Sequence, residues 1–249
     1  MTATLHLLGT GAAATDAHRT TTMIAFSTGT DAVLVDCGGD VIQRAMQAGI
    51  LVENIRAVIL THEHPDHVGG WALFVEKVWL HGRREPIPVY GPNPALDQAE
   101  RNFAIYNTEE WKGLPEVQWN PVPLEPGVEF LQVGPLRFTG TPCNHGVPCM
   151  AVRVDNEETG GSVCYSSDSR PSAAIAELAR ECSILVHEAS GDNPVHSTPD
   201  EAAEIARQAD CKHLVLVHLP PGMTDADLST ARTRFPSVEF GEELATYSF

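Results

Sequence analysis

The sequence predicts an α/β protein, a four-layered αββα sandwich, and three observations predict it. Short apolar, β-branched runs bounded by glycine-rich turns crowd both halves of the chain. Helix-patterned segments follow them in strand–helix order twice, once in each half. No linker-like stretch, low-complexity tract or short repeat divides the 249 residues. Two β-plus-α halves packed sheet on sheet, with helices outside, satisfy all three. One domain over residues 1–249 is therefore expected.

Taken in order, strands are expected at 4–8, ending in Gly9-Thr10-Gly11, then at 20–27 and 32–36. Gly38-Gly39 breaks the third, and Asp40 can cap a helix over 41–48. The apolar strand 55–60 empties directly into Thr61-His62-Glu63-His64-Pro65-Asp66-His67, read as a loop. The segment 69–78 looks helical, with Trp71, Phe74, Val75 and Val78 on one face. A Pro-rich connection carries a strand at 87–90 and leads into a helix over 93–106. From residue 117 the pattern is β again, with strands at 127–133, 136–141, 150–154 and, after Gly160-Gly161, 162–166. Alternation closes the chain: helix 171–180, strand 184–186, helix 199–209, strand 213–217, helix 224–234, and strands near Val238 and Leu244.

Composition excludes several classes. A hydrophobic fraction of 43% and a charged fraction of 20% are those of a globular protein. With 16 Lys+Arg against 33 Asp+Glu, the net charge of −17 argues against a broad nucleic-acid or anionic-membrane surface. No run approaches the ~20 apolar residues that span a bilayer, and the first residues lack the basic-then-apolar pattern of a signal peptide. The six cysteines are scattered without CxxC pairs and read as free thiols in a reducing compartment, which points to the cytoplasm.

The chemistry concentrates at His62, His64, Asp66 and His67, directly after a strand expected to be buried. Neutral imidazoles and carboxylates are the ligands that zinc and its neighbours prefer. Asp66 and His67 are adjacent and point differently, which suits a second ion beside the one that His62 and His64 would hold. Thr61-His62-x-His64-x-Asp66-His67-x-x-Gly70 resembles the signature of the metallo-β-lactamase-fold hydrolases. The resemblance runs along the whole chain: Leu8-Gly9-Thr10-Gly11, Val35-Asp36-Cys37-Gly38, Asn144-His145-Gly146, Tyr165-Ser166-Ser167-Asp168-Ser169-Arg170-Pro171 and Val217-His218-Leu219 are all similar to family motifs. It implies one metal held by His62, His64, His145 and Asp168, and a second held by Asp66, His67, Asp168 and His218. Two divalent ions, zinc first and manganese or iron as alternatives, would polarise a substrate oxygen and acidify a water, with Asp66 also orienting that nucleophile.

Leu185-Val186-His187-Glu188-Ala189-Ser190 and His196-Ser197-Thr198 resemble the two loops of the ribonuclease Z branch. Glu188 accepting a hydrogen bond from His196 would keep that imidazole protonated as a general acid. Ser197 or Thr198 can cap the helix that Pro199 begins, and His187, inside an apolar run, reads as a core histidine. Only 22 residues separate His145 from Asp168, too few for the arm with which that branch grips transfer RNA. The expected substrate is therefore a small anionic phosphodiester rather than a long nucleic acid; Arg19 or the Arg83-Arg84 pair could meet its phosphate, although exposed arginines on an acidic surface are the plainer reading of all three. Alternatives are an ester, lactone, thioester or aryl sulfate at the same site, a mono-iron persulfide dioxygenase, and a non-catalytic metal-binding module. Phe103, Tyr106, Trp111 and Trp119 are expected to pack on the core, or to form a lid or a homodimer contact.

Overall fold

The computed structural model describes residues 2–249. Its first sheet takes β1 (Thr4–Gly9), β2 (Met23–Ser27), β3 (Ala32–Val35), β4 (Ile55–Ile59), β5 (Ile87–Gly91) and β6 (Val117–Pro121), with the C-terminal strand β14 (Thr246–Ser248) on its outer edge. The second takes β7 (Val128–Val133), β8 (Leu136–Pro142), β9 (Met150–Asn156), β10 (Ser162–Tyr165), β11 (Ile184–Glu188), β12 (Leu214–Val217) and β13 (Val238–Phe240). Their orders are β14-β1-β2-β3-β4-β5-β6 and β13-β12-β11-β10-β9-β8-β7. Each sheet begins as an antiparallel meander and turns parallel where strand–helix units start, at β3–β4 and at β10–β11.

Period-two alternation assigns the layers. Val33 and Val35 of β3 meet Phe138, Val152 and Val186 between the sheets. Their neighbours Ala32 and Leu34 face α1 (Val41–Gln47), α3 (Trp71–Leu80) and α4 (Asn93–Ala104) on the outside. On the far side, Cys164, Leu185 and Leu216 face α5 (Ala173–Leu178), α6 (Pro199–Gln208) and α7 (Ser229–Arg234). Both faces of the central strands are buried, so they read as continuous apolar runs rather than alternating ones. The expected αββα layering is what forms.

Local differences have local causes. The segment 20–27 yields a strand only from Met23, because the Thr20 carbonyl is taken by the Gly11 N–H at 2.7 Å. The region 224–234 divides into a 3-10 turn at Asp225–Leu228 and α7, with Thr224 and Asp227 forming a capping box. The last strand lies at Thr246–Ser248 rather than at Leu244, whose φ of 66° belongs to a turn. The histidine loop contains a short helix, α2 (Pro65–Val68), started by Pro65 at its first position.

Of the four aromatics of the variable segment, Trp119 packs on buried Trp71 at 5.4 Å, and Trp111 stacks on Trp79 at 4.8 Å and meets Phe103 edge-on. Tyr106 stays 55% exposed beside Ile105 at 77%. The six cysteines are free thiols. Among the described residues no helix is long and apolar enough to cross a membrane.

Candidate metal centre

All the expected ligands arrive at carboxyl ends of strands or in the turns just beyond them, at one end of the sandwich. His62 and His64 follow β4, and Asp66 and His67 sit on α2. His145 lies in the turn between β8 and β9, Asp168 just past β10, and His218 just past β12. On α2, successive side chains diverge by about 100°, so Asp66 and His67 can serve different directions. The close fit of α2 depends on glycine. A Cβ on Gly38 would lie 1.6 Å from the Asp66 carbonyl oxygen, so that corner admits no side chain. Paired main-chain bonds, Cys37 N–H to the His67 carbonyl and Gly70 N–H to the Cys37 carbonyl, both 2.8 Å, lock the two turns together.

Three overlapping groups result. One atom from each of His62, His64, His145 and Asp168 lies within 4.8 Å of the others, and the same holds for Asp66, His67 and His218, and for Asp168, His196 and His218. His62 Nε2 is 3.0 Å from His64 Nδ1, which is 3.3 Å from His145 Nε2. Asp168 stands between the groups, its Oδ2 3.8 Å from His62 Nε2 and 3.5 Å from His218 Nε2, its Oδ1 3.4 Å from His67 Nε2. Among the described residues, His67 Nε2 and Asp168 Oδ1 are fully buried and have no hydrogen-bond partner. Buried polar atoms are rarely left so; a lone pair and a carboxylate oxygen converging on one point fit a cation.

The second nitrogens of the rings are held in ways that leave ligand lone pairs aimed inward. His67 Nδ1 lies 2.8 Å from Asp36 Oδ2, and a carboxylate can only accept, so the proton is on Nδ1. Asp36, fully buried at the end of β3 with φ 63°, also accepts from the N–H and hydroxyl of Thr61. His145 Nδ1 donates to the Val195 carbonyl at 3.0 Å, and His218 Nδ1 meets the Ser190 hydroxyl. Asp36, Ser167 and His218 all have positive φ at this end of the molecule. That conformation costs a side-chain-bearing residue about 1–2 kcal/mol and is retained where surroundings impose it.

Electrostatics sort the groups. Burial, helped by the charges of neighbouring imidazoles, lowers His62 well below the usual imidazole range, and burial lowers His64, so both rings are neutral near pH 7, the form in which an imidazole can ligate. Burial by itself would raise Asp168, but the imidazoles of His218 and His67 outweigh it and hold the carboxyl well below its ordinary value. Burial would likewise lower His67, and Asp168 and Asp36 overcome it, holding that imidazole well above its ordinary value. Buried carboxylates draw positive charge into this pocket, a demand that a bound cation meets as well as a proton does.

Glu188, fully buried at the end of β11, accepts four hydrogen bonds. Its Oε1 takes His196 Nδ1 at 2.9 Å and the N–H groups of Ser197 and Ser169 at 3.1 and 3.2 Å; its Oε2 takes the Ser190 N–H at 2.9 Å. His196, 16% exposed, lies 5.4 Å ring to ring from both His145 and His218. Burial pulls its pKa down, but the bond to Glu188 and the nearby carboxylates outweigh that and raise it. Thr198, not Ser197, caps α6 in a box with Glu201, while the Ser197 hydroxyl donates to the Ser169 carbonyl at 2.7 Å. His187 is fully buried, with Nδ1 against the Glu188 carbonyl.

Of the arginines expected to face a phosphate, Arg83 and Arg84 are placed elsewhere, whereas Arg19 is held near the His218 end, where the Leu219 N–H donates to the Thr10 carbonyl at 3.0 Å. Arg83 donates to the carbonyls of Ile55, Glu85 and Pro86, and Arg84 to those of Trp79 and Arg83. Ile55 begins β4, the end opposite His62. Arg19 ties the Thr10 hydroxyl to the Gly241 carbonyl. Arg170, two residues past Asp168, is exposed, and among the described residues its side chain has neither a hydrogen bond nor an ion pair. Its own N–H donates to the carbonyl of Asn144, beside His145. Sequence reasoning passed over it, together with Asp36 and Ser190 as supports; the acid at a strand end before glycine was a signal for Asp36.

Residues 31–219 match the Beta-lactamase superfamily domain. Ribonuclease Z of Methanopyrus kandleri is 30% identical, over 94% of this chain and 93% of that protein. Among solved structures, the metallo-beta-lactamase fold protein YhfI from Bacillus subtilis has a TM-score of 0.84 at 23% identity, covering 100% of this chain and 99% of that one. The short form of human tRNase Z has a TM-score of 0.76 at 20% identity, covering 98% of each. The chain thus belongs to the beta-lactamase superfamily, as a ribonuclease Z homologue and a metal-dependent hydrolase.

Proposed function

We propose that this chain, acting as one domain, hydrolyses a small phosphodiester (a cyclic nucleotide, a cyclic phosphate or a short oligonucleotide) at a pair of divalent cations. His62, His64, His145 and Asp168 would hold one, and Asp66, His67, Asp168 and His218 the other. A donor set of imidazoles and carboxylates favours zinc, and suits manganese or iron less specifically. When bound, such cations supply Lewis-acid polarisation and a nucleophile at neutral pH.

The observation that carries the reading is the pairing of His196 with Glu188 beside the ligand cluster. With Nδ1 bound to a carboxylate that already accepts three main-chain N–H groups, the ring keeps its proton and orientation, and Nε2 is left to protonate a departing oxygen. Ester bonds to phosphorus with poor alkoxide leaving groups need such a donor. Asp66, 12% exposed and the more open of the two ligand carboxylates, is suited to orient the attacking group. The kinship with ribonuclease Z supports phosphorus chemistry. Two features support a short substrate. The interval between His145 and Asp168 is taken up by β9, the Gly160-Gly161 turn and β10. A net charge of −17 repels a long polyanion, whereas two bound dications would concentrate positive potential enough for one phosphate.

Turnover of bis-p-nitrophenyl phosphate and cyclic nucleotides, beside lactone, thioester and aryl sulfate panels, tests the reading. Phosphodiester cleavage that is abolished by chelation is expected. Fast ester or lactone turnover with no phosphodiesterase activity overturns it.

A further inference from the structure

The second nitrogens of His67, His145 and His218 rest on three different acceptors: a carboxylate, a main-chain carbonyl and a hydroxyl. The hydroxyl differs from the others because it can accept and donate at once. Ser190 Oγ lies 2.5 Å from His218 Nδ1 and 2.9 Å from the His218 carbonyl oxygen. A carbonyl only accepts, so the Ser190 proton goes to it, and Ser190 Oγ must accept from Nδ1–H. One side chain therefore fixes two properties of a single residue. It sets the tautomer, with the lone pair at Nε2, and it holds the main chain of His218 at φ 55° just where β12 ends.

The clamp is itself anchored. The Ser190 N–H donates to Glu188 Oε2 at 2.9 Å, and the Ala189 N–H donates to the Val217 carbonyl at 2.9 Å, so Ser190 cannot drift from β12. The clamped ring presents Nε2 to Asp66 Oδ2 at 3.2 Å and to Asp168 Oδ2 at 3.5 Å. Asp66 belongs with His67 and His218 to the second cluster, Asp168 stands between the clusters, and none of the partners of His62 or His64 involves Ser190.

We infer that Ser190 is the positioning residue of the second cation site: it orients His218, and that cluster depends on it while the other does not. The inference rests on the dinuclear reading of the centre. Glu188 then acts on both sides of the reaction, through Oε1 on the proton donor His196 and through Oε2 and Ser190 on His218.

The test is metal retention, measured without substrate. The zinc-loaded protein is dialysed against zinc buffers of decreasing free concentration, and retained zinc per chain is counted by elemental analysis. The parent is expected to lose its two ions in steps. Ser190→Ala should lose one of them at roughly 10- to 100-fold higher free zinc, the usual cost of removing a ligand's outer partner, with the other step unmoved. Ser190→Thr, which keeps the hydroxyl, should retain both. Ser190→Cys, of similar size but with a weak acceptor, should repeat the selective loss and serves if the alanine variant fails to fold. A parent-like profile for both Ser190→Ala and Ser190→Cys overturns the inference and leaves the dinuclear reading intact. Equal weakening of both steps also overturns it. A parent that holds fewer than two zinc ions sinks both.

Discussion

The two halves of the molecule are built alike and contribute to the centre unequally. Each has an antiparallel meander running into parallel strand–helix units, and each sends the ends of its strands to the same edge. The first half delivers four of the seven candidate ligands within six residues, on one turn and one short helix after β4. The second delivers His145, Asp168 and His218 singly, from three separate connections, and adds Glu188, Ser190 and His196 from two more stretches. A dense motif needs only local geometry to assemble, as the Gly38 contact and the Cys37–His67 bond supply. A dispersed set needs the whole sheet to bring it together. The first half thus resembles a prefabricated socket and the second a set of adjustable supports.

The sharpest way to break that contrast is Asp168, the carboxylate that stands between the clusters. Asp168→Ala should cut turnover by roughly 10³-fold or more, since water becomes a nucleophile at neutral pH only on a correctly held metal. Zinc content should fall toward one ion or none. Turnover near the parent's would remove Asp168 from the centre.

The supports of the second half can be tested without touching a ligand. His196→Ala should lower kcat about 10²-fold or more, as loss of a general acid does, with zinc content unchanged. Glu188→Gln adds a pH signature. Glu188 raises the pKa of His196, so the protonated, active form persists to higher pH in the parent than it would without that carboxylate. Removing the charge should shift the alkaline fall of the kcat profile to lower pH. An unmoved limb would detach the pair from proton donation.

In the first half, Asp36→Asn keeps the shape of the His67 support and removes its charge. Affinity for the cation at His67 should weaken by about 10- to 100-fold, read from zinc retention. A smaller effect than that of Ser190→Ala would mean that the prefabricated side tolerates loss of its outer partner better than the adjustable side does.

The smallest effect is expected at Arg170. Its exposed cation, unpartnered among the described residues and beside Asp168 and the His145 turn, should help hold an anionic substrate. Arg170→Ala should raise KM about tenfold for a phosphodiester, equivalent to ~1.4 kcal/mol, and leave KM for a neutral ester unchanged. Equal changes for both substrates would rule the charge out.

The same contrast explains what could be read without coordinates. His62, His64, Asp66 and His67 announce themselves by density, and the layered fold by apolar runs alternating with helical patterns. His145, Asp168 and His218 are legible only through resemblance to a known signature, because one histidine at a strand end carries little information alone. Ser190, the Thr61 hydroxyl and the Val195 carbonyl gain meaning only when an imidazole is placed against them. The roles of the arginines are hidden in the sequence for a related reason. Whether a guanidinium is available depends on which carbonyls the fold brings to it, and Arg83 meets three.

Each cluster draws its side chains from both sheets. His62 and His64 of the first face His145 and Asp168 of the second, and Asp66 and His67 face His218. An ion bound there would do what a disulfide does in a secreted protein. It would tie residue 67 to residue 218 and close a loop of more than a hundred residues, a constraint on the order of 4–5 kcal/mol in the chain-entropy account of cross-links. A protein whose six cysteines are all free would then carry a long-range staple in its metal centre, added to the buried apolar layer that already packs the two sheets together.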